Sequence, residues 1–382
     1  MVADMNASTT REERDELRSV TRSFLQREVP SVDLRAHSAD GFSYDHAAWS
    51  SIADTLGLQG LIVPDEFGGL GLGIRELAVV CEELGRSLYN GPFISSAVIA
   101  SALLREGDGA PRALLHDLAA GVTIAAVASP LRPSSDRDAG YRVTTADDGR
   151  SVVSGEELFV MGAIDADLLL VPAKSEQGLQ IFGVDPRADG VRVVALDSLD
   201  LLRPMATVVL DQVHGELLIN EATSRDAMAR AIVIGHIALA AESIGGAARA
   251  LEMTIEYVGQ RVQFGRIIGA FQAVKHRCAD MLVELEGARS ALFAAVTVAD
   301  DSFAERQRLA SLAKVKATDA FFYIASETIH LHGGIGFTFE HPAHLFFRRA
   351  KANQLLMGTR AEHQRSIFHS LLPIYQRERN TE

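Results

Sequence analysis

Residues 227–298 constrain this chain more than any other stretch. They read as two long helices joined by a turn of unusual composition. The first helix, roughly Met228 to Tyr257, is lined with small residues: Ala238, Ala240, Ala241, Ser243, Gly245, Gly246, Ala247, Ala248 and Ala250. Such a lining lets another backbone, or a flat ligand, approach closely. Glu242 is the only carboxylate between Asp226 and Glu252. The turn reads Arg261-Val-Gln-Phe-Gly265 and continues as Arg-Ile-Ile-Gly-Ala-Phe-Gln272. The second helix, about Phe271 to Val298, repeats Ala279, Leu282, Leu285, Ala288, Leu292 and Ala295 at helical spacing. The flanks of this pair lead us to expect something large and flat bound beside it.

The rest of the chain falls into blocks around this pair. Residues 10 to about 118 read as helical, with Ser19–Val29 and Ala47–Leu58 the first two segments. The apolar run Gly57 to Pro64 leads into Asp65–Gly73, a glycine loop that reads as a corner between helices, and apolar periodicity resumes from Ile74 to Leu84. From Val122 the texture changes to short strand-like runs: Thr123–Ser129, Tyr141–Thr145, Ser151–Val160, Asp167–Val171, Leu179–Gly183, Val191–Leu196 and Ala206–Val213. So many evenly spaced strands suggest a small antiparallel barrel or sandwich. After Asn220 helices return to the end. A chain of 382 residues suits two or three domains. We read an α+β multidomain chain: an N-terminal helical domain (1–118), a middle β-domain (119–222) and a C-terminal helical bundle (223–382).

Charge and cysteine content narrow the function. A net charge of −13 without any basic tract argues against nucleic acid as the partner. Cys81 and Cys278 lie far apart and fit a reducing compartment, with neither a disulfide framework nor a zinc site. Residues 1–14 are too polar for a signal peptide. No apolar run approaches the ~20 residues of a membrane helix. These features lead us to expect a soluble, cytoplasmic protein.

Several motifs then align with a known family. Arg261 to Gln272, His276-Arg-Cys-Ala-Asp-Met281, His332-Gly-Gly-Ile-Gly-Phe-Thr338, Pro64 to Gly71 and Glu82-Glu-Leu-Gly85 resemble, in order, the motifs of the acyl-CoA dehydrogenase family. The resemblance covers nearly the whole chain. It implies an N-terminal helical domain, a middle β-domain and a C-terminal four-helix bundle. It also implies FAD, an acyl-CoA thioester substrate from fatty acid or steroid degradation, and an electron-transfer flavoprotein as acceptor. Homo- or hetero-oligomerisation, as dimer or tetramer, is implied as well. In the family the arginine matching Arg261 and the phenylalanine matching Phe264 reach the FAD of a neighbouring subunit. Arg261 would neutralise the pyrophosphate by bidentate pairing, with a surface salt bridge as the plainer alternative. Gln263 lies within this motif, and Gln272 matches a glutamine that contacts FAD. Gly333, Gly334 and Gly336 would let backbone approach the cofactor, or simply end a helix after Leu331.

The departures from the family pattern bear on catalysis. Dehydrogenation needs a base to take the Cα proton while hydride leaves Cβ, and a carboxylate of raised pKa suits that task. The family often places this glutamate before a Gly-Thr pair; here Met357 precedes Gly358-Thr359. A second family position, 26 residues before the motif arginine, is Gly235 here. Glu242, two turns further along the same helix, is the substitute. It is either a poised base or a structural carboxylate paired with an arginine from another helix. Near the flavin, Ser129 and Phe159 stand where the family shows a hydrogen-bond donor and a ring-covering aromatic. Met161 replaces a donor, His330 replaces a glutamine, and Thr359 remains as a polar contact while Ala361 does not.

Three functions therefore stay open: an active dehydrogenase with a relocated base; one chain of a hetero-oligomeric acyl-CoA dehydrogenase whose own site is incomplete; or a flavin- or acyl-binding protein without dehydrogenase activity. The small residues of the 238–250 helix hint at room for a bulky acyl group.

Overall fold

The small-residue stretch folds as one 37-residue helix, Ser224–Gln260, and the rest of the molecule packs around it. The computed structural model describes residues 9–29, 44–106, 112–133, 140–146, 149–298 and 302–379. The expected helical content of residues 10–118 falls partly on 30–43 and 107–111, outside the described residues.

Among the described residues five α-helices come first: α1 (Arg11–Glu28), α2 (His46–Leu56), α3 (Ile74–Arg86), α4 (Ser101–Glu106), which continues a π-helical segment Phe93–Ala100, and α5 (Arg112–Ala119). Local chemistry sets their ends. Thr10 and Glu13 form a reciprocal capping box on α1. The Asp45 carboxylate accepts from the N–H groups of Ala47 and Ala48 to open α2. Gly57, at φ 62°, closes α2 in the left-handed conformation that glycine adopts without penalty. The C-terminal helices are α6 (Ser224–Gln260), α7 (Gln272–Thr297), α8 (Phe303–His332), α9 (Ala343–Leu355) and α10 (Arg360–Arg379).

Between them, among the described residues, lie eight strands: β1 (Ala125–Val127), β2 (Tyr141–Thr145), β3 (Ser151–Met161), β4 (Leu168–Lys174), β5 (Leu179–Val184), β6 (Val191–Leu196), β7 (Met205–His214) and β8 (Glu216–Ile219). They form one sheet in the order β6-β7-β3-β2-β4-β5-β8, with β1 also on β4. The β1–β4 and β2–β4 pairs are parallel and the other pairs antiparallel, so the middle β-domain is mixed where a purely antiparallel one was expected. In the β3–β7 ladder the register slips between Glu157 and Val160. That bulge leaves Phe159 at φ 60° and 56% exposed.

The helices on either side of the sheet share one core, in which Leu25, Trp49, Leu77 and Ile99 join Ile234, Leu285 and Phe321. The sheet has a smaller core of its own around Tyr141, Val153, Phe182 and Val208. The small residues of α6 serve this packing. A Cβ on Gly245 would stand inside the backbone carbonyl of Glu82, and one on Gly85 inside that of Glu242, so α3 and α6 cross backbone against backbone. Gly246 meets the Phe321 ring of α8. The surface expected to receive a flat or bulky ligand is thus filled by α3 and α8.

Two further expectations change. On α7, Leu285, Ala288, Leu292 and Ala295 are buried together with Met281, but Ala279 faces outward and Leu282 is 48% exposed. Among the described residues, α6 is the one helix long and apolar enough by length and composition to cross a membrane. Its most apolar window is 94% buried inside the protein.

Candidate active site and cofactor residues

The expected site residues gather at two places along α6. The first surrounds Gly235, about three turns in from the start of the helix. A Cβ on Gly235 would lie 2.5 Å from the Met357 Cε and 3.1 Å from Ile99 Cγ1. Both positions where the family carries a catalytic carboxylate thus meet here, and apolar groups fill the space between them. Met357 adopts φ 54° and Gly358 φ 106°. Three buried side chains grip this turn from behind. His236 Nε2 lies 3.2 Å and His363 Nε2 3.1 Å from the same Met357 carbonyl oxygen. Since that oxygen only accepts, both Nε2 atoms carry the proton. Lys314 donates to the carbonyls of Gly358 and Gln354. Burial pushes the Lys314 ammonium down to about 8, and burial followed by the nearby Lys314 charge pushes His363 to about 3. His236 falls well below its ordinary range, through burial first and then through His363 and Lys314.

The loop carrying Ser129 borders this turn: a Cβ on Gly358 would be 2.5 Å from Pro133 Cδ. Ser129 Oγ accepts from the Leu131 N–H at 3.3 Å and keeps its own proton for another acceptor. Thr359 is engaged already. Its N–H and hydroxyl both donate to Glu362, at 2.8 and 2.9 Å, as the cap of α10.

Glu242 lies two turns further along α6 and has the partners its own helix lacks. Arg203, from the β6–β7 loop, donates to its Oε1, as does Arg349 of α9 at 3.1 Å. Asn353 donates to Oε2 at 3.1 Å. Arg349 also pairs with Asp200, and Arg203 donates to Asn353 Oδ1 at 2.8 Å. The four charges sum to zero within the protein. Burial alone would raise the Glu242 carboxyl, but Arg203 and then Arg349 outweigh it and hold the group below the usual carboxylate range. The cavity that Glu242 lines with Arg203, Ser95 and Met161 is about 40 Å³, room for a few waters. Of the two readings open for Glu242, this is the geometry of the structural ion pair. A poised base needs a raised pKa, and two guanidinium groups impose the opposite.

The second place is the far end of α6. Arg261 caps the helix, 26 residues beyond Gly235, which at 1.5 Å per residue is ~39 Å away. Val262–Gln263 and Arg266–Ile267 pair as β9 and β10 around the two-residue loop Phe264-Gly265, at φ 52° and 78°. This is the hairpin geometry that requires positive φ at both central positions. Phe264 is 91% exposed. Gln263 and Gln272 are exposed, and Gln272 opens α7. Among the described residues no carboxylate pairs with Arg261.

Across from this hairpin, α8 ends at His332 and turns through Gly333, at φ 65°. His330, Gly333 and Gly334 are exposed, and nothing within 4 Å would oppose a Cβ on either glycine. Gly336 differs. It packs against the Ile329 carbonyl, where a Cβ would be 2.7 Å from oxygen, so it serves the turn itself.

An exposed arginine at the end of α6 and a bare-backbone loop at the end of α8, joined by the Tyr257–His332 ring contact, fit the phosphate half of FAD. The residues at Met357 are thinner in donors for the flavin half. The two places are farther apart than one dinucleotide reaches within a single chain.

Sequence reading missed Arg203, Arg349, Asn353, His236, Lys314 and His363. A signal was present for some. Leu345, Phe346, Arg349, Ala350 and Asn353 occupy one helical face and are all buried, so Arg349 and Asn353 sit in core-facing positions. Arg203, in a loop, gives no such sign.

Comparison with known proteins adds independent findings. The family description "Acyl-CoA dehydrogenase, N-terminal domain" matches residues 11–121, and "Acyl-CoA dehydrogenase, C-terminal domain" matches residues 225–372. The chain is 32% identical over 354 residues to acyl-CoA dehydrogenase IpdE2 of Mycobacterium tuberculosis, covering 93% of this chain and 96% of that one. Among solved structures it resembles a Tcur3481-Tcur3483 steroid ACAD variant, with TM-score 0.85, 29% identity and coverage of 96% and 99%. It also resembles the ChsE4-ChsE5 complex from Mycobacterium tuberculosis, with TM-score 0.85, 26% identity and coverage of 95% and 98%.

Proposed function

Because the chain belongs to the acyl-CoA dehydrogenase family, FAD-dependent oxidoreductases acting on CH–CH bonds, we propose that it works as one subunit of a hetero-oligomeric acyl-CoA dehydrogenase. It lends Arg261, Gln263, Phe264, Gln272, His330, Gly333 and Gly334 to the phosphate half of a FAD whose flavin end, with the catalytic base, lies on a second acyl-CoA dehydrogenase chain. The observation that carries this reading is the Met357–Gly235 contact, which fills both base positions with apolar atoms. A homo-oligomer would repeat that defect at every site. Arg203, Arg349 and Asn353 engage both Glu242 oxygens and lower its basicity, which speaks against Glu242 as the missing base.

Bound FAD supplies the hydride acceptor for the acyl Cβ. This chain's part is to fix the phosphates by charge and backbone approach, and to cover the site from outside. The exposed Val262, Phe264, Ile267, Phe337 and Phe339 form the apolar surround that such a contact would bury. The names of the two structural relatives, each joining two designations, support a two-chain assembly. The likeness to a steroid ACAD supports an acyl-CoA thioester derived from steroid or fatty-acid breakdown as substrate. Electrons would pass to an electron-transfer flavoprotein in the cytoplasm, a compartment that suits the two free cysteines.

The test is co-expression with a second acyl-CoA dehydrogenase chain as candidate partner. The co-purified assembly should be yellow and should reduce a dye with acyl-CoA, while this chain alone should not. Turnover by this chain alone, as a homo-oligomer, would overturn the reading.

A further inference from the structure

The two halves of the phosphate site, the Arg261 hairpin on α6 and the Gly333–Gly334 loop on α8, are held in register by a ladder of side-chain pairs between these helices. The lower rung is polar and fully buried. Thr254 Oγ1 donates to Thr328 Oγ1 at 2.9 Å, and both hydroxyls lie within hydrogen-bond reach of the Ala250 carbonyl. The upper rung is one turn on: Tyr257, three residues after Thr254, and His332, four after Thr328, stack with ring centroids 4.5 Å apart and 26° between planes. His332 is buried, and its Nδ1 donates to the Thr328 carbonyl at 2.7 Å, which joins the two rungs. The His332 ring also meets the tilted His341 ring, centroids 4.3 Å apart, and His341 Nδ1 accepts from the Ala343 N–H at 3.2 Å.

Each upper partner leads directly into a cofactor motif. The Arg261 N–H donates to the Tyr257 carbonyl at 2.9 Å, and His332 is bonded to Gly333. A shift of one ring over the other would therefore move the guanidinium relative to the glycine backbone. Resting on the shared FAD site proposed above, we infer that Tyr257 and His332 are positioning residues, whose stack sets the distance between Arg261 and Gly333–Gly334 that the cofactor phosphates require. Neither ring needs to touch the cofactor. Helix packing alone does not explain an imidazole here, because the polar rung beneath already fixes α6 against α8.

The experiment uses the full chain in its co-purified, FAD-loaded assembly. FAD affinity is read by titration after the cofactor is stripped, with ADP as a second probe that carries the pyrophosphate without the flavin. His332→Ala removes the ring and His332→Phe keeps a flat one. His332→Ala should weaken both FAD and ADP about tenfold, the scale of a lost aromatic pair. His332→Phe should recover most of that affinity, and melting temperatures should shift together for both variants. Thr328→Val probes the lower rung and should lower melting temperature with a smaller loss of ADP affinity. If Arg261→Ala abolishes ADP binding while His332→Ala leaves it unchanged, the positioning role is wrong and the shared site stands. If Arg261→Ala also leaves binding unchanged, the shared site itself is misplaced. If His332→Phe binds as poorly as His332→Ala, ring stacking is not the operative contact.

Discussion

The Met357 Cε methyl lies 2.5 Å from the point that a Cβ on Gly235 would occupy. Each residue stands where a catalytic carboxylate is expected in this family, and each accommodates the other: a side chain at 235 would displace the methionine tip. The same helix carries a second kind of glycine. At Gly245 the obstacle is the Glu82 backbone carbonyl, which belongs to a packed helix and cannot swing away.

These two glycines should answer alanine differently. Gly235→Ala removes a helix-interior glycine, worth about 1 kcal/mol of propensity, against the cost of moving a flexible side chain end. Its stability should stay within about 1 kcal/mol of the parent. Gly245→Ala must separate α3 from α6 and should cost about 3 kcal/mol, the upper range for overpacking. Denaturant midpoints of the two variants check this ordering.

Glu242→Gln should act on stability first. It leaves Arg203 and Arg349 facing a neutral amide, and breaking a buried pair typically costs about 3–5 kcal/mol. The pH dependence has a fixed sign. The folded pKa of Glu242 lies below its ordinary value of 4.5. Its stabilising contribution is therefore present above that value and fades as pH falls through the folded pKa. The stability gap between parent and variant should be wide at pH 7 and narrow in acid. Equal unfolding curves at pH 7 would return Glu242 to consideration as a base.

The turn at Met357 should carry its own pH signature. His363, pushed down to about 3, refuses a proton that the unfolded chain accepts below its ordinary 6.5. Stability should therefore drop as pH falls from 6.5 toward 3, and His363→Gln should flatten that decline. Lys314 acts over a different range. Its folded pKa of about 8 lies below the ordinary 10.5, so the unfolded chain binds more protons between those values. Stability should rise with pH across that window, and Lys314→Met should lack the rise. Parallel pH–stability profiles of the parent and the two variants separate these contributions.

Much of this architecture was legible in residues 227–298. Small residues with few charges marked α6, and Arg261–Gln272 marked where it ends. Composition could not say what the small residues were for, because a stripe of alanine and glycine suits a ligand and a crossing helix equally, and only the placement of Glu82 and Phe321 decides. Strand β8 lies beyond the last strand run expected from the sequence, Ala206–Val213: it is only four residues long and follows β7 across a single glycine. The buried charges were hidden by long-range pairing: Glu242 meets Arg349 107 residues away and Arg203 39 residues away. Local periodicity carries no record of such partners.

Phe264 offers a prediction in which folding and assembly move in opposite directions. Its backbone is left-handed at φ 52°, an arrangement that costs a non-glycine residue about 1–2 kcal/mol. Within its own chain the ring gains little, being 91% exposed and set T-shaped to Phe271 at a centroid distance of 6.2 Å. Phe264→Gly relieves that strain, though glycine gives back part of the gain through the entropy it loses on folding. The isolated chain should therefore be unchanged or up to about 1 kcal/mol more stable. In the proposed assembly the ring is the residue that reaches across to the partner's cofactor site. Burying an aromatic side chain at an interface centre is commonly worth about 2 kcal/mol or more, so the variant should lose at least tenfold in association and release FAD on dilution. Sedimentation of the co-purified complex, set beside thermal melts of the free chain, measures both quantities. A variant that melts lower while the complex holds together would mean that Phe264 serves its own fold and not its neighbour.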